Sequence, residues 1–339
     1  MNYLITGGSG FVGSLLCRSL IKKGHNVINL DIIKPSSKFV KFYNINILNK
    51  TELDQIFIEN KIDIIIHSCA EVPITKSKDF FKVNLGGTKN IIDCFLKFKV
   101  KKLVYISSSA VFGVPDVVPV KEDDERNPVE KYGMSKKAGE DECFKYISLG
   151  HNIVVIRPRT IIGGGRLGIF SLLFDWIKSN TNIPVLNNGN NIYQFVNLSD
   201  FCDATIASSI IDYRGSLNIG SNSYDTIKNN LNKLILKAGS KSKLINLDNS
   251  IFFKLAYGLQ KINIIPLQEY HFKAYGADIY FDNSKTKNIL NWKSKYSDYD
   301  SLEESYFNYL NNFNNDKKQS PHNQSLKSLI IKYAPKFLI

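Results

Sequence analysis

Tyr132 and Lys136, in the run Tyr132-Gly-Met-Ser-Lys136, stand 24 residues beyond Ser108. A phenol titrates near pH ~10 and is a poor base at neutrality, whereas an ammonium held beside it favours the phenolate and brings it into working range. Four residues make about one helical turn, so both side chains share a face and together can pass a proton to or from a substrate hydroxyl. Spacing alone is weak evidence. Seventeen tyrosines, with lysine at about one position in nine, give roughly two such pairs by chance, and Tyr224/Lys228 and Tyr257/Lys261 are read as those pairs. Tyr132 differs because a serine cluster, Tyr105-Ile-Ser-Ser-Ser-Ala-Val-Phe-Gly113, ends an apolar run upstream of it.

A second loop with chemical meaning opens the chain. Thr6-Gly7-Gly-Ser-Gly10-Phe-Val-Gly13 directly follows one apolar run and starts a helical pattern. Gly7 suits a tight turn, Gly10 lets the backbone approach a pyrophosphate, and Gly13 lets helix and strand pack closely, with the helix N-terminus attracting the anion. Asp31 ends the next apolar run 18 residues after Gly13, where a carboxylate can take both hydroxyls of an adenosine ribose. A phosphate on that ribose would meet repulsion, so NAD is expected rather than NADP.

The elements that must position these residues follow from the alternation of short apolar runs with amphipathic stretches. Strands are predicted at Asn2 to Thr6, Asn26 to Leu30, Phe39 to Tyr43, Ile62 to Ile66, Lys102 to Ile106 and Asn152 to Ile156. Helices are predicted at Phe11 to Lys23, Thr51 to Glu59, Val83 to Phe98 and Gly133 to Leu149, the second capped through Thr51 and Asp54. This is the pattern of an α/β protein: a Rossmann-like, doubly wound parallel sheet over residues 1–160. After Arg157-Pro158 the regularity breaks at Gly163-Gly-Gly165, and one strand, Leu217 to Ile219, returns to the sheet within a segment 197–219. Residues 161–196 and 220–312 are expected to form a smaller C-terminal α+β substrate-binding region, and 313–339 a basic, amphipathic tail that packs on its own domain or stays disordered rather than resting on a membrane or partner.

The net charge of +13 invites an anionic partner, yet only six of the 44 basic residues are arginine, and no helix-turn-helix or zinc-finger spacing occurs, so nucleic acid is not expected. Cys17, Cys69, Cys94, Cys143 and Cys202 are scattered, which suggests neither disulfides nor a metal site and fits a reducing compartment. The N-terminal apolar stretch is too short for a signal peptide, and the run from Ile251 to Leu267 is broken by Lys254 and Lys261, so a cytoplasmic protein is expected.

Taken together, the glycine loop, Asp31, His67-Ser-Cys-Ala70, Asn84-Leu-Gly-Gly-Thr88, the serine cluster, Tyr132-x-x-x-Lys136, Asp282-Asn-Ser-Lys285 and Leu290-Asn-Trp292 resemble the extended short-chain dehydrogenase/reductases. More narrowly, the chain resembles the NAD-dependent epimerase/dehydratase family from residue 1 to about 312. The resemblance implies Ser108 as the hydroxyl that holds the substrate oxygen, Tyr132 as acid/base, and Lys136 as the charge that lowers its pKa and binds nicotinamide ribose. It also implies Phe11 and Val12 on the pyrophosphate, and Ile32, Cys69, Ala70 and Asn84 beside the cofactor. Asn46 and Ile47 stand where the family usually has an aspartate facing adenine. His67 is read as a structural residue at a strand end, and Asp200 as a helix cap. A homodimer through the helices of Val83 to Phe98 and Gly133 to Leu149 is implied by the family alone.

The branches of this family diverge after the first hydride transfer. Dehydratases and decarboxylases carry acidic residues after the catalytic serine or threonine, and here Ser109 and Ala110 fill those places. A 4-epimerase needs no such acid. Thr160 replaces an asparagine that contacts the sugar nucleotide in many relatives, and the arginine that commonly grips the diphosphate is replaced by Lys273 or His271, with Arg166 a substitute. Ser109, Thr160 and Arg166 are therefore the candidate substrate contacts beside Ser108. Three readings stay open: a nucleotide-sugar epimerase, an NAD-linked dehydrogenase resembling the hydroxysteroid-dehydrogenase branch, and a non-catalytic dinucleotide-binding scaffold, against which the intact serine, tyrosine and lysine argue.

Overall fold

Runs of β-branched and aliphatic residues form eleven strands among the described residues: β1 (Asn2–Thr6), β2 (Asn26–Asp31), β3 (Lys41–Asn44), β4 (Ile64–His67), β5 (Lys102–Ile106), β6 (Ile153–Pro158), β7 (Thr160–Ile162), β8 (Ile183–Val185), β9 (Phe195–Asn197), β10 (Gly215–Ile219) and β11 (Leu244–Asn246). The computed structural model describes residues 1–35, 40–73, 79–165, 170–248 and 274–313. Seven strands lie in the order β10-β6-β5-β4-β1-β2-β3, all parallel. This is the doubly wound, Rossmann-like sheet read from the sequence. Phe39, the expected start of the third strand, lies outside the described residues.

Strand alternation sorts the core onto two faces. Tyr3, Ile5, Val104, Ile106, Val154 and Ile156 join one cluster, covered by α1 (Phe11–Lys22) and, later in the chain, the helix Leu198–Ile210. Leu4, Leu103, Tyr105, Ile153 and Val155 join the other, covered by α2 (Lys50–Glu59), α3 (Thr88–Lys97) and α4 (Lys131–Ser148). Because both faces are covered, β5 and β6 are buried along their whole length. The strand order reverses at β1, which opens a crevice at the carboxyl ends of β1 and β4, where such sheets bind ligands.

Three local expectations change. The cap of α2 is Asn49, whose side chain accepts from the Glu52 N–H, two residues before the predicted Thr51. The expected helix from Val83 begins as a π-helical stretch, Lys82–Gly87, before α3. Leu198–Ile210, which follows α5 (Phe170–Lys178) and is α6, is capped by Asn197. Asp200 instead accepts from the backbone N–H groups of Lys295 and Tyr296 at 3.0 and 2.9 Å, and so ties a distant segment to α6.

Beyond β6, β7 pairs with β9 and β8 with β11, outside the main sheet. Around β8, α5, α7 (Ile227–Lys237) and α9 (Asp298–Phe313, following α8, Ser284–Leu290) enclose Phe174, Ile183, Val185, Leu234, Tyr306 and Tyr309. Residues 314–339, nearly all of the expected tail, lie outside the described residues, as do Tyr257 and Lys261.

Candidate active site

The glycine loop is built for close backbone packing. Gly7 takes φ +70°, a left-handed conformation that glycine adopts without strain, and a Cβ there would lie 2.8 Å from the Cys69 Cα. A Cβ on Gly13 would sit 2.1 Å from the Gly7 carbonyl oxygen, so only glycine lets α1 start directly beneath the turn. Gly10 precedes the helix with no side-chain cap, and the first turn of α1 carries no acidic residue. The positive end of the helix is thus left for an anion. The Asp31 carboxylate is oriented at the rim of this loop: it accepts from the Ser9 N–H at 3.0 Å and the Ile33 N–H at 2.9 Å.

The surrounding cofactor candidates divide into exposed and buried. Ile32, just past Asp31, is exposed, and Ile47 is buried beneath Gly87. Asn46 is exposed, and its side-chain oxygen accepts from the Leu48 N–H. The Cys69 N–H donates to Thr6 Oγ1, and burial pushes the Cys69 thiol up to about 12, so at neutral pH it is an uncharged wall. Ala70 follows it, half-buried. Asn84 is buried and makes three side-chain hydrogen bonds. Its Oδ1 accepts from the Glu71 N–H at 2.7 Å, and its Nδ2 donates to the Glu71 carbonyl and to Ser135 Oγ, both at 3.0 Å. It therefore clamps the loop after β4 to α4.

Ser108 follows β5 and caps a single 3-10 turn, Ser109–Phe112, its hydroxyl accepting from the Ala110 N–H at 3.2 Å. Tyr132 and Lys136 fall in the first two turns of α4, and a Cβ on Gly133 would come within 2.5 Å of the Ala110 carbonyl. Glycine at 133 thus brings the start of α4 onto the serine turn. Tyr132 is half-buried and meets the Phe80 ring edge-on at 6.2 Å. Lys136 is buried, donates to the Ile106 carbonyl at 2.7 Å, and lies 4.4 Å from the centre of the Tyr105 ring. Burial pulls its ammonium down to about 8, against the opposing charge of Glu140. His67 sits between the hydroxyls of Thr6 and Thr88 at 2.6 and 3.0 Å, and burial, helped by Lys136, holds it at about 3.

The substrate candidates are also placed. The Ser109 hydroxyl accepts from Arg159 Nη1 at 2.9 Å, and the Thr160 hydroxyl shares a 2.9 Å hydrogen bond with Tyr193. Arg166, His271 and Lys273 lie outside the described residues. The sequence reading missed a buried ion network: Arg157 Nε and Nη2 grip both oxygens of Glu140 at 2.9 Å, and Arg126 reaches the same carboxylate at 3.0 Å. Glu140 stands one turn beyond Lys136, so the i, i+4, i+8 series with Tyr132 was its available signal.

A model of the NAD dependent epimerase/dehydratase family matches residues 3–220, which hold the glycine loop, Asp31 and the Ser108, Tyr132 and Lys136 set. The chain belongs to the NAD-dependent epimerase/dehydratase family. The chain is 38% identical to the uncharacterized protein y4nG of Sinorhizobium fredii, over 89% of this chain and 77% of that one. It is 25% identical to UDP-glucose 4-epimerase of Lacticaseibacillus casei, over 92% and 97% of the two chains. The solved dTDP-glucose 4,6-dehydratase of Bacillus anthracis, in complex with NAD, shares the fold at a TM-score of 0.72 and 20% identity, over 92% and 97% of the chains.

The loop fits the family's cofactor. The space a Cβ would fill at Gly7 and Gly13, the uncapped start of α1 and the oriented Asp31 carboxylate are the features a pyrophosphate and an adenosine ribose require. Among the described residues no helix is long and apolar enough to cross a membrane, and no group of three His, Cys, Asp or Glu could hold a metal ion.

Proposed function

We propose that this enzyme is an NAD-dependent nucleotide-sugar epimerase that inverts carbon 4 of the sugar through a transient ketone. The observation that carries the reading is the turn after Ser108: Ser109 is bonded to Arg159, and Ala110 is buried beneath α4. That turn supplies no carboxylate for elimination, while Ser108, Tyr132 and Lys136, the residues for alcohol oxidation, are all present. Bound NAD supplies the hydride acceptor and later the donor. Ser108 Oγ holds the sugar oxygen, and Tyr132 Oη takes the hydroxyl proton and later returns it. The Lys136 ammonium, on the same face of α4, stabilises the phenolate. The ketone then needs only to present its other face, so no further acid or base is called for.

The similarity to a UDP-glucose 4-epimerase along nearly both whole chains supports a nucleotide-sugar substrate. Arg157, Glu140 and Asn84 are given positioning roles. Five free thiols support a cytoplasmic location, and the exposed Met134 and Phe81 near α3 and α4 support a homodimer through those helices. The test is to release cofactor from the purified protein, assay it for NAD, and incubate the protein with UDP-, GDP- and dTDP-sugars. The reading expects co-purified NAD and stereoisomer formation without net NADH. Steady NADH production from a nucleotide-free secondary alcohol would overturn it in favour of a dehydrogenase.

A further inference from the structure

Two arginines stand two residues apart at the end of β6, and their hydrogen bonds differ in one respect. Arg157 gives its Nε/Nη2 edge to the Glu140 carboxylate and its Nη1 to the Glu122 carbonyl. Arg159 gives its Nη1 to Ser109, but among the described residues its Nε and Nη2, equally buried, have no hydrogen-bond partner. The side of a guanidinium that carries Nε–H and one Nη2–H is the fork that grips a carboxylate bidentately. Leaving such donors buried and unmet is costly, more so for a charged group. The side chain is 1% exposed, lies against the Tyr193 and Phe281 rings at 4.8 and 5.7 Å, and is held beside the candidate catalytic serine by Ser109. Arg159 acts electrostatically on the buried Asp298, whose Oδ2 has no hydrogen-bond partner, but no ion pair joins the two among the described residues.

We infer that the Nε/Nη2 fork of Arg159 receives a carboxylate of the substrate, so that the sugar is a hexuronate rather than a neutral hexose. This rests on the epimerase reading above. A carboxylate on carbon 5 is one carbon from the centre that Ser108 and Tyr132 address, and Arg159 is tied to the residue after Ser108.

The experiment measures affinity by calorimetry for paired UDP-, GDP- and dTDP-linked hexoses and hexuronates, on the NAD-loaded protein. The hexuronate of the accepted base is expected to bind roughly 10- to 100-fold tighter than its hexose. In Arg159→Gln that ratio should fall to near one. Arg159→Lys, which keeps the charge and loses the fork, should lower it about tenfold and guards against a folding defect in the first variant. Equal affinity for hexose and hexuronate in the wild type overturns the inference and leaves the epimerase reading standing. Lower thermal stability in both variants with an unchanged ratio also overturns it, showing an internal structural charge. Binding of no nucleotide sugar removes the underlying reading and the inference together.

Discussion

At the scale of single residues, Tyr132 is where the mechanism is exposed to test. Tyr132→Phe should lower kcat by roughly 10²- to 10⁴-fold while leaving NAD affinity nearly intact, as measured by turnover and fluorescence titration; retained turnover would refute the proton-transfer role. His67 governs a different property. Its folded pKa of about 3 lies below the ordinary histidine value of 6.5, so between those values the unfolded chain binds more protons. Stability should therefore fall as pH drops from about 6.5 to 3, by on the order of a few kcal/mol, and His67→Gln should flatten that slope in urea titrations. An identical slope in both proteins would remove His67 as the cause. Ser108, Tyr132 and Lys136 were legible as candidates because helix spacing and a strand end are written in consecutive residues. The hydrogen-bond partners of Asn84, and Arg159 altogether, were not, since Ser135 and Ser109 lie 51 and 50 residues away in sequence from the groups they meet.

At the scale of elements, the junctions matter more than the elements themselves. The turn between β1 and α1 works because Gly13 leaves no atom where the Gly7 carbonyl must pass. Gly13→Ala should destabilise the protein by about 1–3 kcal/mol and weaken NAD binding together, checked by denaturant midpoint and cofactor titration; loss of neither would mean the turn can open without cost. The buried strands were readable because a sheet covered on both faces needs apolar residues at every position. Helix beginnings were less readable. Asn49 and Thr51 are both competent caps, and only the local backbone decided for Asn49, while the π-helical start at Lys82 leaves no mark in the apolar period.

At the scale of the whole molecule, one buried carboxylate joins three separate stretches of chain. Glu140 of α4 holds Arg157 of β6 and Arg126 of the loop that precedes α4, and Arg157 also holds the Glu122 carbonyl. Removing one partner leaves buried charge uncompensated, so Glu140→Gln should cost about 3–5 kcal/mol in urea unfolding; a cost below about 1 kcal/mol would show that the network contributes little to cohesion. The sheet order has a further consequence during synthesis. The candidate catalytic segment and β6 leave the ribosome before β10, the strand that pairs with the edge of β6, because β10 starts at Gly215, 57 positions after Pro158. At ~5–20 residues per second that edge stays bare for roughly 3–11 s. During that interval the free edge of Ile153-Val-Val-Ile156 is an unpaired template for other nascent chains, so the newborn chain is open to aggregation after its candidate catalytic residues have been made and before its sheet is closed.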